Sequence, residues 1–144
     1  MKIKKYNQNI KYDFSVINNP IIYYAHNIDS YNTKDEEDKI DIIENYFMTP
    51  FIINPNGWIY QGGNEQIIMN QCFVFVEKSD IVVFSTIKNN IIGRGVYEEL
   101  RCAFKNEKIV YLLKDKPYNF TENDFNEINI IYQETKDFKK YAII

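Results

Sequence analysis

SDIVVFSTIKNNIIGRGVYEELRCAF, residues 79 to 104, is the stretch of sequence that decides the fold. Its first part, Asp80–Phe84, is a short run of β-branched and aromatic residues, which predicts a buried strand. Gly93 and Gly95 then lead into a helical pattern whose inward-facing positions we expect to be Val96, Leu100, Ala103 and Phe104. A strand followed by a glycine-containing loop and a helix is typical of a parallel α/β sheet.

The same alternation of strands and helices runs outward from this stretch in both directions. Four further strands are predicted at residues 21–25, 51–53, 108–113 and 128–132. Thr33 and Glu36 form a capping-box pattern before a helix with apolar positions at Ile40, Ile43 and Phe47. A second helix is predicted near residues 64–78, with Asn64 as N-cap and an inner face of Ile68, Cys72 and Phe75. The pattern predicts a flavodoxin-like three-layer α/β fold, with a mostly parallel sheet of four or five strands and helices on both faces.

Length and composition restrict the classes of protein. The 144 residues fit one domain, which we place at residues 21–144 behind an N-terminal extension at residues 1–20. Seventeen basic and twenty acidic residues give a net charge of −3, which argues against a nucleic-acid module. Two cysteines form no disulfide framework and a single histidine excludes a His-rich zinc site, so no metal is expected. The sequence has neither a signal peptide nor an apolar run long enough for a membrane span, so we expect a cytoplasmic protein.

In an open parallel sheet, ligands bind beyond the carboxyl ends of the strands. This rule selects the segments 23–33, 54–57, 84–99 and the stretch after residue 113. The third segment is the most informative, because Gly93 and Gly95 let a ligand approach the backbone, and the helix start favours an anion. Glu98 and Glu99 follow, and an ionised carboxylate is what a nucleophile at an anomeric carbon must be. The alternative is that these acids only complement the helix dipole, and neither a complete dinucleotide fingerprint nor a P-loop is present.

Three pieces of the chain, in order and at matching spacing, resemble the nucleoside 2-deoxyribosyltransferase superfamily, which includes the 2'-deoxynucleoside 5'-phosphate N-hydrolases. They are Ile22-Tyr23-Tyr24-Ala25, Ser79-Asp80-Ile81-Val82-Val83 and Gly93-x-Gly95-Val96-x-x-Glu99-Leu100-x-x-Ala103. The resemblance covers roughly residues 20–115. The sub-patterns Tyr31-Asn32-Thr33 with Glu36, and Ile53-Asn54-Pro55-Asn56, are similar to small phage and archaeal members of that superfamily.

The resemblance implies roles for individual residues. Glu99 matches the nucleophile, Tyr23 the tyrosine that orients it, and Asp80 the acid at the third strand. The expected substrate-binding residues are Ala25, His26, Ser30, Tyr31, Asn54, Gly93, Arg94 and Gly95. The chain departs from the superfamily at Gly93, where an Asp or Ser is usual, and at residues 26–29, where a proline-containing turn is usual.

Each of these assignments has a structural alternative. Asp80 begins its strand, which would place it at the end of the sheet opposite the ligand. Tyr23 competes with Tyr24, because neighbours on a strand point to opposite faces, and we favour Tyr23 on its spacing. The other candidates have local explanations: a surface or hydrogen-bonding role for His26, helix capping for Thr33, an Asn-Pro turn for Asn54, and buried packing for Cys72 and Cys102.

The leading hypothesis is cleavage or transfer of an N-glycosidic bond of a (deoxy)nucleoside or nucleotide, through Glu99 and a glycosyl-enzyme, without metal or organic cofactor. Asp80 or His26 would assist the departing base, and Arg94 with the amides near the two glycines would receive a 5'-hydroxyl or phosphate. The alternatives are a non-catalytic nucleotide-binding or sensing module and a NAD glycohydrolase. The expected partner is a small nucleoside or nucleotide rather than nucleic acid or membrane, and the resemblance implies a homodimer or higher homo-oligomer.

Overall fold

Strands and helices alternate along the chain in the computed structural model, which describes residues 19–56, 65–132 and 140–144. The strands are β1 (Ile22–Ala25), β2 (Ile52–Ile53), β3 (Ile81–Phe84), β4 (Ile91–Gly93), β5 (Ile109–Leu113), β6 (Pro117–Asn119), β7 (Asn129–Tyr132) and β8 (Lys140–Ile143). The helices are α1 (Lys34–Phe47), α2 (Glu65–Lys78), α3 (Arg94–Lys105) and α4 (Glu122–Asn126), with a single 3₁₀ turn at Ile28–Ser30.

The main sheet has five strands in the order β2-β1-β3-β5-β6. The first four are parallel, with Tyr23 opposite Val82 and Val82 opposite Val110, and β6 is antiparallel to β5. The predicted α/β class, with its mostly parallel sheet, is therefore confirmed. In this order β1 and β3 are flanked on both sides, and their carboxyl ends meet at one edge of the sheet.

Strand alternation divides the core into two layers, one on each face of the sheet. On one face, Tyr23 and Ala25 of β1 pack with residues of β3, α2 and α3, including Val82, Phe84, Cys72, Val96 and Leu100. On the other face, Ile22 and Tyr24 pack with residues of β3 and α1, including Ile81, Val83, Ile43 and Phe47. The predicted inner faces of the three long helices are thus confirmed, and neighbouring residues of β1 serve opposite layers.

The last strands differ from the sequence prediction. The strand predicted at residues 128–132 is present as β7, but it belongs to a separate antiparallel sheet of order β4-β8-β7. The fifth strand of the main sheet is β6, which follows β5 after a turn at residues 114–116. So short a connection permits only antiparallel pairing, because a parallel neighbour requires a crossover of a dozen residues or more.

Several predictions lie outside the described residues. They are the structure of residues 1–18 of the extension, the N-cap at Asn64 and the turn residue Gly57. Within the described ranges, no helix combines the length and the apolarity needed to cross a bilayer. The same ranges hold no cluster of three or more His, Cys, Asp or Glu side chains arranged to bind a metal ion.

Candidate active site

The centre of the candidate site is a buried pair formed by Tyr23 and Glu99. Tyr23 lies on β1 and faces α3, where its hydroxyl donates a hydrogen bond to Oε2 of Glu99. Tyr23 is fully buried and Glu99 is 5% exposed. Tyr24 points to the opposite face and donates to or accepts from Ser85 Oγ at 2.7 Å. The structure therefore selects Tyr23 over Tyr24 as the partner of Glu99.

Burial sets the protonation of this pair. Removal from water raises the pKa of Glu99 from its ordinary 4.5 to about 8, against the opposing effect of the hydrogen bond from Tyr23. Burial, and then the charge of Glu99, raise the pKa of Tyr23 well above its ordinary value. The phenol therefore remains a donor at every physiological pH, while Glu99 exchanges its proton close to neutrality.

Two further side chains share the surroundings of Glu99. Cys72 of α2 is buried in the same core layer as Tyr23. Burial, followed by the charge of Glu99, raises the pKa of the Cys72 thiol to about 12, so it stays protonated. Burial, followed again by the charge of Glu99, also raises the pKa of Tyr31, in the loop after β1. The pair is thus enclosed by α2, α3, β1 and the β1–α1 loop.

The start of α3 differs from what a simple dipole argument requires. The helix begins at Arg94, with Gly93 as N-cap, and its first turn contains no acidic residue. Glu99 therefore lies in the second turn, which removes the reading that it is only a first-turn partner of the helix dipole. Glu98 lies closer to the surface, with Oε2 3.7 Å from Arg101 Nη1, as expected of a surface charge.

The glycine at position 93 is explained by its contact with the loop after β1. A Cβ at Gly93 would lie 3.2 Å from Nδ2 of Asn27, a contact tighter than such atoms normally make. The side-chain oxygen of Asn27 meanwhile accepts from the backbone N–H of Asp29 at 3.1 Å and caps the 3₁₀ turn. Asn27 thus fills the space that a side chain at position 93 would occupy. Arg94 is exposed, and the structure gives it no ion pair with any described residue.

A second polar cluster lies on the opposite face of β1. His26 Nε2 is 2.6 Å from Oε2 of Glu36, and His26 Nδ1 is 3.1 Å from the carbonyl oxygen of Tyr24. The other carboxylate oxygen of Glu36 accepts from the backbone N–H of Asn32 at 3.1 Å and from Nδ2 of Asn56 at 2.8 Å. Glu36 therefore does not complete a capping box, although Thr33 does cap α1 by accepting from the Glu36 N–H.

This cluster corrects the assignment of His26 to substrate binding. The imidazole has no exposed surface, and both ring nitrogens already face protein partners. Its ring is stacked on Tyr24, with centroids 4.0 Å apart, and its other neighbour is the Tyr31 ring, at 4.8 Å. His26 is therefore part of the packing beneath the loop and not a group that faces a ligand.

Asp80 also lies away from the place predicted for it at the site. Its carboxylate accepts from the backbone N–H of Ile21 at 2.8 Å, immediately before β1 and β3 begin. That position is the amino edge of the sheet, whereas residues 26–36 and 93 lie at the carboxyl edge. Asp80 is therefore separated from the Glu99 surroundings by the length of β3, and its hydrogen bond has a structural purpose.

Of the remaining predicted residues, Ala25 belongs to the strand β1, and Ser30 and Asn54 lie in turns. Ala25 is buried, and its carbonyl accepts from the Ser85 N–H at 3.2 Å. Ser30 Oγ donates to the Asn27 carbonyl at 2.8 Å, and Asn54 Oδ1 accepts from the Asn56 N–H at 2.9 Å, so both support local turns. The structure brings Tyr23 and Glu99 together, and it places the loop that carries His26 and Tyr31 against Gly93 through Asn27. Asp80 lies at the opposite edge of the sheet, and Asn54 supports a turn after β2.

Comparisons with protein-family models, curated proteins and solved structures found no match to this chain. The resemblance to the nucleoside 2-deoxyribosyltransferase superfamily therefore stays a prediction. The chemistry is argued from the geometry: a carboxyl that ionises near neutrality and is oriented by a phenol can act as a nucleophile or as an acid–base group.

Proposed function

We propose that the protein cleaves or transfers the N-glycosidic bond of a nucleoside or nucleotide, with Glu99 as the nucleophile. The observation that carries the proposal is the buried hydrogen bond from the Tyr23 hydroxyl to the Glu99 carboxyl. It holds one carboxyl oxygen fixed, and we propose that the other faces the substrate. The absence of an acidic residue in the first turn of α3 also supports it, because a residue that served only the dipole would lie there.

The reaction follows from carboxylate chemistry. An ionised oxygen of Glu99 forms a bond to the anomeric carbon while the carbon–nitrogen bond breaks, and the base leaves with that electron pair and takes up a proton. Water or a second base then attacks the same carbon and releases the carboxylate. Tyr23 donates to the carboxylate throughout and limits its rotation. Arg94 and the backbone amides near Gly93 and Gly95 are proposed to receive the 5'-hydroxyl or phosphate.

The pKa of Glu99 shapes the assay. Since burial raises this pKa to about 8, only a minority of molecules carry the nucleophilic form at neutral pH. Activity is therefore measured at about pH 8.5 as well as at about pH 7. The full chain is incubated with a panel of nucleosides, deoxynucleosides, their 5'-monophosphates and NAD, with and without a second free base. Chromatography then detects the released base.

Two variants on the same helix turn identify the nucleophile. Glu99→Gln preserves size but has no charge, and its turnover should fall by about 10³-fold or more. Glu98→Gln is the control, since Glu98 lies at the surface beside Arg101. Release of a purine or pyrimidine base that requires Glu99 but not Glu98 supports the proposal. Full activity in Glu99→Gln, or equal losses in both variants, contradicts it.

A second candidate function is a nucleotide-binding or sensing module without turnover. It is favoured by the raised pKa of Glu99, because a neutral buried carboxyl recognises a ligand by hydrogen bonds rather than by attack. Binding of a panel member, with no release of base at neutral or at alkaline pH, would establish this function. Release of nicotinamide from NAD would instead indicate a NAD glycohydrolase.

We also propose a cytoplasmic location, with which the free thiols of Cys72 and Cys102 agree. A homo-oligomer remains an expectation from the resemblance.

A further inference from the structure

The pair formed by His26 and Glu36 is buried and takes no part in the proposed reaction. His26 is 3% exposed and Glu36 is 6% exposed. The charged or titratable groups that face the pair are Tyr24 of β1, Tyr31 of the loop and Lys39 of α1. Lys39 is occupied by an ion pair with Asp35, in which Nζ lies 2.9 Å from Oδ2.

The contacts of His26 define where its protons must be. Nδ1 faces the carbonyl oxygen of Tyr24, which can only accept a hydrogen bond. Nε2 faces an oxygen of Glu36, which accepts when ionised and donates only when protonated. A neutral imidazole beside an ionised carboxylate would leave one nitrogen lone pair facing an oxygen lone pair, whichever nitrogen held the proton. Only a pair with two protons satisfies both contacts.

Two arrangements contain these two protons, and both have no net charge. In one, a doubly protonated imidazole donates to an ionised Glu36. In the other, a neutral imidazole protonated at Nδ1 accepts from a protonated Glu36. Burial lowers the pKa of His26, whereas its bonds to Glu36 and to the Tyr24 carbonyl act in the opposite direction. Three donated bonds lower the pKa of Glu36 and favour the first arrangement.

The pair also fixes the backbone on both sides of Tyr31. His26 precedes the 3₁₀ turn, and the N–H of Asn32 directly follows Tyr31 and donates to Glu36. Asn56, after β2, donates to the same Glu36 oxygen and joins a second loop to the first. The Tyr31 ring rests on the His26 ring, and Asn27 of the same loop lies against Gly93 at the start of α3, the helix that carries Glu99. The loop is thus held at two points, with the phenol between them.

We propose that His26 and Glu36 are positioning residues: as a net-neutral pair that holds two protons, they fix the loop that carries Tyr31 against the start of α3, the helix of Glu99. His26 does not touch the substrate in this scheme. The kinetic consequence rests on the proposed function of Glu99, whereas the proton positions and the placement of Tyr31 do not. The experiment therefore reads the two separately.

Proton positions are measured by NMR on the full chain labelled with ¹⁵N-histidine, which is free of overlap because the sequence has a single histidine. We expect Nδ1 to be protonated at about pH 6 and still protonated at about pH 8. Loss of this proton would leave the Tyr24 carbonyl oxygen facing a nitrogen lone pair. In Glu36→Gln, the amide oxygen can accept from Asn32 and Asn56 while its NH₂ donates to Nε2, so Nδ1 should again hold the proton. Glu37→Gln, on the exposed side of α1, is the control. An unprotonated Nδ1 in the wild-type chain at about pH 6 overturns the proposal.

The placement of Tyr31 is read from ¹³C-tyrosine spectra, with its signals assigned through Tyr31→Phe. Glu36→Ala should shift the Tyr31 signals, and Glu36→Gln should restore them. If Glu36→Ala does not fold, Asn56→Ala is the milder variant, because it removes one donor at the half-buried end of the network. Tyr31 signals that stay unchanged in Glu36→Ala, or in Asn56→Ala where that is the folded variant, overturn the proposal even if no substrate is found.

Once a substrate is known, a double-mutant cycle tests the route through Tyr31. Glu36→Ala alone should raise KM or lower kcat by about tenfold, and Glu36→Gln should restore the value. In a Tyr31→Ala background, Glu36→Ala should have no further kinetic effect, although it still lowers stability. Additive kinetic losses contradict the positioning role while leaving the Glu99 chemistry intact. Activity that does not depend on Glu99 would instead refute the proposed function. The NMR result would then decide alone whether His26 and Glu36 position the loop.

Discussion

Replacing Glu99 by Gln should make the stability of the protein less sensitive to pH, whether or not the proposed function holds. The pKa of Glu99 is about 8 in the folded protein and 4.5 when its surroundings are removed. Between these values the folded state holds a proton that the unfolded state has lost. The contribution of Glu99 to the free energy of unfolding is therefore fully present below about pH 4.5 and decreases as pH rises toward 8. One pKa unit corresponds to about 1.4 kcal/mol, so Glu99 alone should cost about 3 kcal/mol between about pH 5 and about pH 7.

Glutamine does not titrate, and Tyr23 can still donate to its amide oxygen, so the variant should lack this loss. The measurement is urea unfolding followed by circular dichroism at about pH 5, 6 and 7, for the wild type, Glu99→Gln and Glu98→Gln. The free energy of unfolding of Glu99→Gln, relative to the wild type, should rise by about 3 kcal/mol across this range. The Glu98→Gln difference should stay nearly constant, because that side chain lies at the surface. A Glu99→Gln difference that does not vary with pH would refute the assignment of a raised pKa to Glu99.

Three further predictions concern the same part of the chain. If the proposed function holds, the kcat/KM of the wild-type protein should rise with pH and level off above an apparent pKa near 8. A profile already flat at about pH 6 would contradict a nucleophilic carboxylate at this site. Tyr23→Phe removes the hydrogen bond that lowers the pKa of Glu99, so the midpoint of this profile should move to higher pH. The kcat/KM at about pH 7 should then fall by about tenfold or more. An unmoved midpoint would show that the hydrogen bond is unimportant. In urea unfolding, Gly95→Ala should be neutral or stabilising by up to about 1 kcal/mol. Gly93→Ala should be destabilising, because its Cβ meets Asn27. The opposite order would contradict the packing at the start of α3.

The fold class follows from local sequence, but the assignment of the last strands does not. The runs at β1, β3 and β5 are short, β-branched or aromatic and almost completely buried, and such runs predict parallel strands between helices. β6 is only three residues long and begins with Pro117, so its sequence resembles a turn. Its place in the main sheet depends on pairing with β5. Pairing partners are long-range contacts, and periodicity carries no information about them.

The candidate site shows the same division between local and long-range information. The resemblance selects Glu99, and spacing on β1 favours Tyr23 over Tyr24, but strand alternation alone shows only that the two tyrosines face opposite layers. Which layer contains Glu99 depends on how α3 packs on the sheet, and it is the layer of Tyr23. Thr33 and Glu36 have the spacing of a capping box. In the structure one Glu36 oxygen accepts from the Asn32 N–H instead, and the other contacts His26, ten residues away. Cys72 was expected to be buried, which is confirmed, but its place in the same core layer as Tyr23 links two elements 49 positions apart and has no signature in the sequence.

The two adjacent tyrosines of β1 also bear on how faithfully the chain folds. Tyr23 and Tyr24 point to opposite layers, and each hydroxyl has its own buried partner, Glu99 on one side and Ser85 on the other. A slip of β1 by one residue against β3 would exchange the two layers, and it would leave phenols, a carboxyl and a hydroxyl without partners in the core. Each buried polar group left unsatisfied costs about 1–3 kcal/mol, so a strand of only four residues excludes its neighbouring registers by several such penalties at once. The polar pairs on the two faces of β1 therefore restrict this strand to a single register in the sheet.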